Sequence, residues 1–250
     1  FEGEDVYYGY LYCEQETPGY TNDSSAVSEA FGHVFDEDGI CAKGCYQSAE
    51  AVEGVYQITN IGQFYWFAQT VNGGERKANA ILLSDLDLQG REWTTICSTD
   101  LYYNTSYYGD TGYEGTFNGN GHVIRNFVVK GIAGTKCSVG LFGTTYNATI
   151  KKLGVDEMTF DVNGAADVRA AAIVGQMIYT TVENCYVINS TLTPGQFIVG
   201  GIAACNYAGV ICNSFTKNVA ISGHERCGNL VSDTRGDRSD TDRRSTVKNC

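Results

Sequence analysis

Residues 139–155 read VGLFGTTYNATIKKLGV, and the same order of an apolar opening and a strand-like ending returns three more times along the chain. The openings, whose starts lie 32, 29 and 28 residues apart, are VGLFG (139–143), AAIVG (171–175), GGIAA (200–204) and GNLVS (228–232). The endings are IKKLGV (150–155), VENCYV (182–187), ICNSFT (211–216) and VKNC (247–250). Internal similarity at such a period is typical of solenoids. The sequence therefore predicts four successive coils.

Apolar and polar residues alternate within each coil. In the second coil Val182, Cys185 and Val187 are separated by polar residues, which favours strands over helices. Equivalent positions of stacked coils form rows, and we expect one row to contain Leu153, Cys185, Ser214 and Cys250. The interpretation is an all-β fold, a parallel β-helix in which each coil buries its inner face against its neighbours.

One short helix is predicted at about 61–71, ahead of the repeats. Apolar residues recur from Ile61 at i, i+3, i+4 and i+7, after the capping candidates Thr59 and Asn60. Gly73 and Gly74 stop the pattern. Residues 1–54 lack any sustained period and are predicted to be an irregular, disulfide-bonded extension or cap. The β-helix domain is predicted at 55–250, with repeats from about 113.

The repeats resemble a known family. The segment YEGTFNGNGHVIRNFVVKG (113–131), followed by VGLFG and ATIKKLGV (148–155), is similar to the GLUG repeat of surface proteins. The upstream ITNIGQFYWFAQTVNGG (58–74) and ILLSDLDLQGREWTTI (81–96) resemble the segment that leads into such repeats. The resemblance covers about 55–250. It implies a right-handed parallel β-helix within a large extracellular protein.

Composition narrows the environment and the partners. The chain has 250 residues and a formal charge of −12, and its 17 Lys and Arg form no basic stripe, so nucleic acid is not expected as a partner. The sequence contains no run of about 18 apolar residues, so no membrane-spanning segment is predicted. We expect a secreted chain located outside the cell or at the cell surface.

Cysteine and asparagine motifs support that location. Ten cysteines accompany only 3 His, which favours disulfides over metal sites. The disulfide candidates are Cys13, Cys41, Cys45, Cys97, Cys137, Cys185, Cys205, Cys212, Cys227 and Cys250. Four Asn-X-Ser/Thr sequons, at Asn22, Asn104, Asn147 and Asn189, are candidates for glycosylation.

Paired acids give the strongest catalytic alternative. Asp85 and Asp87 share one face of a predicted strand and, with Glu92 and Glu114, could form the two-carboxylate site of a glycosidase or lyase. The alternative, which we prefer, is that these acids accept hydrogen bonds at turns or lie in water. His122 and His224 occur where the repeat needs a turn or strand end, and both are expected to be structural.

Three further motifs could bind a metal ion or a receptor. Calcium could bind the oxygens of Asp36, Glu37 and Asp38, or those of Asp237, Asp240 and Asp242, although neither has EF-hand spacing. Zinc could bind Cys41 and Cys45 with His33, and Cys13 is the nearest fourth ligand in sequence, but disulfide bonding is favoured. Arg235-Gly236-Asp237 matches an integrin-binding tripeptide in a predicted loop. No cofactor is expected, apart from structural calcium as an alternative.

Two tyrosine clusters suggest contact with glycans or with a protein. They are Tyr7, Tyr8, Tyr10 and Tyr12, and Tyr102, Tyr103, Tyr107 and Tyr108. The leading hypothesis is a non-enzymatic structural or adhesive module that assembles end to end with neighbouring copies or with the rest of a longer solenoid. The alternatives are a polysaccharide-degrading β-helix enzyme and a non-catalytic carbohydrate-binding module.

Overall fold

The computed structural model describes residues 34–98, 111–130, 136–161, 167–193, 198–223, 226–236 and 244–250. Within these residues the chain forms one α-helix, α1 (Ile61–Asn72), and many short strands. The strands are β1 (Glu50–Val52), β2 (Val55–Ile58), β3 (Asn79–Leu82), β4 (Leu86–Trp93), β5 (Thr116–Asn118), β6 (Val123–Lys130), β7 (Lys136–Val139), β8 (Phe142–Tyr146), β9 (Thr149–Lys151), β10 (Gly154–Asp161), β11 (Asp167–Ala171), β12 (Val174–Ile178), β13 (Thr181–Glu183), β14 (Tyr186–Ile188), β15 (Thr191–Leu192), β16 (Ile198–Gly200), β17 (Ala203–Tyr207), β18 (Val210–Cys212), β19 (Phe215–Lys217), β20 (Ala220–Ile221), β21 (Arg226–Gly228), β22 (Val231–Arg235) and β23 (Thr246–Lys248).

The strands stack into four sheets. Sheet A has the order β1-β2-β3-β5-β9-β13-β18-β23, and sheet B joins β4, β6 and β10 to β14, β15, β19 and β20. Sheet C is β7-β11-β16-β21, and sheet D is β8-β12-β17-β22. Every pairing between these strands is parallel except that of β1 with β2. The fold is a parallel β-solenoid, which confirms the predicted fold class.

The strand registers reproduce the repeat that was read from the sequence. Phe142 pairs with Val174, Val174 with Ala203, and Ala203 with Val231. These partners are 32, 29 and 28 residues apart, the same steps as the openings of the repeats. The predicted row also holds, because Gly154 pairs with Tyr186 and Tyr186 with Phe215, one residue after Leu153, Cys185 and Ser214.

The inner rows of the solenoid are apolar and buried. In sheet A the inner row passes through Phe117, Ile150, Val182 and Ile211, each with no exposed surface. Burying one such side chain contributes roughly 1.5–3 kcal/mol relative to leaving it in water. The row ends at Val247, which occupies the same inward position on β23 but is 41% exposed.

The helix α1 closes the end of the stack where β2 lies. The side chain of Asn60 accepts a hydrogen bond from the Gln63 N–H, and Gly73 ends the helix, so the predicted start and stop are confirmed. The helix follows β2 as β4 follows β3, and it lies over the first coils. The ring of Phe64 stacks on Trp93 at 4.2 Å between centroids, and both side chains are buried.

Residues 34–49 pack on the start of α1. Gly39 lies so close to Gly62 that a Cβ on Gly62 would overlap the Gly39 carbonyl. The ring of Tyr46 stacks on Tyr65 with centroids 5.0 Å apart. This part of the predicted N-terminal extension is therefore attached to the solenoid, while residues 1–33 lie outside the described part.

The tight corners of each coil use residues with positive φ. Asn184, Asn213 and Asn249 follow sheet A strands at equivalent corners, with φ values of 53°, 50° and 54°. Asparagine tolerates this left-handed conformation better than most residues with a side chain. The repeated N in VENC, ICNS and VKNC is thus a backbone requirement of the corner.

No helix within the described ranges has the length and apolar character needed to cross a membrane.

Candidate functional site

The candidate acids lie where β4 meets β6 on the outer face of sheet B. Asp85 precedes β4. Its Oδ1 accepts a hydrogen bond from the Val123 N–H at 3.1 Å, and the same oxygen lies 3.0 Å from His122 Nδ1. Asp87 accepts from the Gln89 N–H at 2.9 Å, from Asn126 Nδ2 at 3.1 Å and from Arg125 Nε at 3.1 Å. Asp85 and Asp87 therefore link the chain at β4 to β6 on the outer face of sheet B.

These contacts lower the pKa of both carboxyl groups. For Asp85 the largest cause is the hydrogen bond from the Val123 N–H; burial is the next largest and acts in the opposite direction, and His122 adds to the lowering. For Asp87 the largest cause is the hydrogen bond from the Gln89 N–H, with Asn126 and Arg125 adding to it. A general acid must carry a proton near neutral pH, which requires a raised pKa. The environment of Asp85 and Asp87 favours the opposite state.

The other two acids have different partners. Glu92 lies 3.1 Å from Lys130 Nζ, which also contacts Asp161 at 2.6 Å. Glu114 lies 3.7 Å from both Arg76 and Lys77. The sequence analysis grouped Glu92 and Glu114 with the two aspartates as one candidate site. In the structure Glu92 and Glu114 each form ion pairs with different basic residues.

The metal candidates are engaged elsewhere. Asp36 Oδ1 accepts from the Ile40 N–H at 2.9 Å, and Asp38 Oδ2 lies 3.1 Å from Arg91. No cluster of three or more His, Cys, Asp or Glu that could hold an ion occurs in the described residues. Calcium binding by Asp36, Glu37 and Asp38 has no support from this geometry. The other metal candidates, His33, Cys13, Asp237, Asp240 and Asp242, lie outside the described part, as does His224.

Six of the ten disulfide candidates are unpaired in this structure. Cys45 is disulfide-bonded, but the following residues carry thiols: Cys97, Cys185, Cys205, Cys212, Cys227 and Cys250. Cys185 and Cys250 cannot pair with each other, because they share a row but lie two turns apart. Two strand spacings amount to about 9.5 Å, beyond the reach of a disulfide.

Two of the four sequons lie in the described residues. Asn147 and Asn189 occupy exposed corners with positive φ. The Asn189 side chain donates to Asp156 at 3.0 Å and accepts from Asn218 at 3.2 Å. Asn22 and Asn104 lie outside the described part, together with both tyrosine clusters.

The tripeptide 235–237 is not wholly in a loop, as the sequence suggested. Arg235 is the last residue of β22. Its guanidinium donates to Asp233 at 2.6 and 3.0 Å and lies 5.7 Å from the centre of the Tyr207 ring. The arginine is thus bound to its own sheet, which weighs against its display to a receptor.

Sequence analysis missed one surface feature on sheet B. Tyr186 and Phe215 occupy successive turns of one outward row, with ring centroids 5.4 Å apart and an angle of 11° between the planes. Gly154 precedes them in that row. The row was readable from the repeat endings, since all three residues follow Leu153, Cys185 and Ser214 directly.

Comparisons with known proteins give the fold alone. No protein-family model matches the chain, and no curated protein matches it. Among solved structures, the chain is similar to the crystal structure of a putative immunoglobulin A1 protease from Bacteroides ovatus, with a TM-score of 0.51 and 18% identity. The match covers 86% of this chain and 70% of that chain.

Proposed function

We propose that this chain is a non-catalytic structural or adhesive module of an extracellular surface or filament protein. The observation that carries the proposal is the use of the candidate carboxylates. Asp85, Asp87, Glu92 and Glu114 all bind cations, hydrogen-bond donors or both on neighbouring segments. Acids that hold strands together stabilise a scaffold, and they are not placed to exchange protons with a substrate.

The solenoid architecture supports the same proposal. Parallel coils provide long, flat outer faces and a rigid frame whose stability comes from contacts between neighbouring turns. Such a rigid frame suits a protein that holds other domains apart or adheres to a surface. The resemblance of 113–155 to GLUG repeats, which implies an extracellular setting, agrees with this use.

The proposal includes association through the turn that contains β23. Val247 lies in an inner, apolar row but is 41% exposed, and an added strand would bury it. The partner would be a neighbouring copy or further coils of a longer solenoid. Light scattering of the native protein over a concentration series tests this, and Val247→Lys should reduce any association. Thr246→Lys, on the outward row of the same strand, is the matched control and should leave it unchanged.

The absence of catalysis is tested with substrates of two classes. Wild-type protein is incubated with pectin, xylan, cellulose and chitin, and new sugar ends are measured; immunoglobulin A1 is incubated in parallel and checked for cleavage. We expect no product from any of these substrates. The double variant Asp85→Asn/Asp87→Asn is the control.

A polysaccharide that wild type cleaves and the double variant spares would overturn the proposal in favour of a glycan-degrading enzyme. Cleavage of immunoglobulin A1 by both proteins would overturn it in favour of a protease whose site lies away from these aspartates.

A further inference from the structure

Sheet B carries a stacked pair of aromatic rings on its outer face, one half-buried and one exposed. We name Tyr186 and Phe215 the aromatic strip. Phe215 is 50% exposed, so about half of its surface is open to solvent. The two rings are nearly parallel and lie on neighbouring strands, so the strip runs along the axis of the solenoid.

Gly154 makes room for the strip. A Cβ on Gly154 would lie 2.5 Å from Tyr186 Cζ and 2.6 Å from Tyr186 Oη, so any side chain there would displace the ring. The tyrosine therefore leans across the neighbouring strand instead of standing upright. Phe215 follows in the same row, and together the rings form a low apolar strip on the sheet.

Polar groups border the strip. The Val123 N–H donates to Asp85, and Val123 pairs with Gly154, over which the Tyr186 ring lies. Asp156 follows Gly154 by two residues on the same face of β10. Asn189 donates to Asp156, and His122 contacts Asp85. Acceptors and donors are thus available beside the apolar surface.

This combination matches the chemistry of a sugar. A pyranose ring has an apolar face of C–H groups that packs on aromatic rings, and it has hydroxyl groups that donate to carboxylates and accept from amides. The net charge of −12 and the nearby aspartates disfavour acidic polymers. A protein partner would have to desolvate Asp85 and Asp156, which is costly without matched cations.

We infer that the aromatic strip binds a neutral oligosaccharide, with sugar rings packed on Tyr186 and Phe215 and hydroxyl groups bonded to Asp85 and Asp156. The inference rests on the adhesive part of the proposed function and names its ligand class. The two tyrosine clusters named in the sequence analysis do not belong to this inferred site.

Isothermal titration with cellohexaose, chitohexaose, xylohexaose and mannohexaose tests the inference, with polygalacturonate as the acidic probe. We expect at least one neutral hexasaccharide to bind the wild-type protein. Tyr186→Ala and Phe215→Ala should each weaken that binding about tenfold, the effect of losing one aromatic contact. Gly154→Ser retains both rings but displaces Tyr186, and it should weaken binding as well.

Tyr146→Ala is the matched control. Tyr146 pairs with Tyr179 at 5.7 Å between centroids on another corner of the solenoid, so its loss should leave sugar binding unchanged. Circular dichroism confirms that each variant is folded. Binding of none of the neutral probes, binding unaffected by loss of either ring, or tighter binding of polygalacturonate would each overturn the inference. None of these results would make the protein an enzyme, so a failure here is distinct from a failure of the product assays.

Discussion

The backbone N–H of Cys185 donates a hydrogen bond to Ser214 Oγ at 3.1 Å, across one turn of the solenoid. Ser214 Oγ in turn donates to the Cys212 carbonyl at 2.8 Å. The same arrangement recurs at Ser190, which accepts from the Met158 N–H and donates to the Ile188 carbonyl. A buried hydroxyl thus supplies the acceptor that the left-handed corner removes from the strand ladder.

Replacing Ser214 by Ala should destabilise the protein by about 1–3 kcal/mol, because the buried Cys185 N–H loses its acceptor. Urea unfolding followed by circular dichroism measures the change. Thr159→Ala, which removes an exposed hydroxyl from β10, is the control and should change stability by no more than about 0.5 kcal/mol. Equal effects of the two substitutions would show that the Ser214 hydroxyl is not needed at the corner.

Native thiol labelling should separate the exposed from the buried cysteines. Burial raises the pKa of Cys185 and of Cys97 to about 12 and that of Cys205 to about 11, and the thiolate is the reactive form. Iodoacetamide at pH 8 should therefore modify Cys227 and Cys250 first, and the buried thiols only after unfolding. Mass spectrometry identifies which cysteines are modified. Absence of these thiols in unreduced, unfolded protein would contradict the structure.

The pairing of Asp85 and Asp87 with donors on the outer face should make stability depend on acidic pH. The pKa of each is lowered from 3.8 in the folded protein, so the stabilisation is present above the unfolded value and is lost as pH falls through the folded value. Below about pH 4 the melting temperature of wild type should fall more steeply than that of Asp85→Asn/Asp87→Asn. Glu50→Gln, at an exposed position of β1, should retain the wild-type slope.

The contact of Gly39 with Gly62 should make Gly62 intolerant of substitution. Gly62→Ala forces the added methyl into the Gly39 carbonyl and should cost about 1–3 kcal/mol, as overpacking does. Gly73→Ala, at the other end of α1 and with an ordinary φ of −75°, makes the same chemical change with only a 3.2 Å approach to Gln69 O. Thermal unfolding compares them, and similar melting temperatures would mean that residues 34–49 are not docked on the helix as described.

The solenoid, the spacing of its coils and the place of α1 can all be predicted from the amino-acid sequence. Each rests on a local pattern: the steps of 32, 29 and 28 residues between openings, the two-residue alternation within strands, and the helical spacing that begins at Ile61 after Asn60. Local patterns of this type survive in the folded chain because backbone geometry fixes the period of strands and helices.

The contacts that the side chains make become visible only in the folded chain. Asp85 bonds Val123, 38 residues away, and Cys185 bonds Ser214, 29 residues away, and such neighbours depend on the register between turns. Register also placed Cys185 and Cys250 too far apart to pair, and it brought Tyr186 and Phe215 together over Gly154. Loops of unequal length separate the coils, so a row of facing residues has no fixed spacing in the sequence and becomes visible only when the strands are stacked.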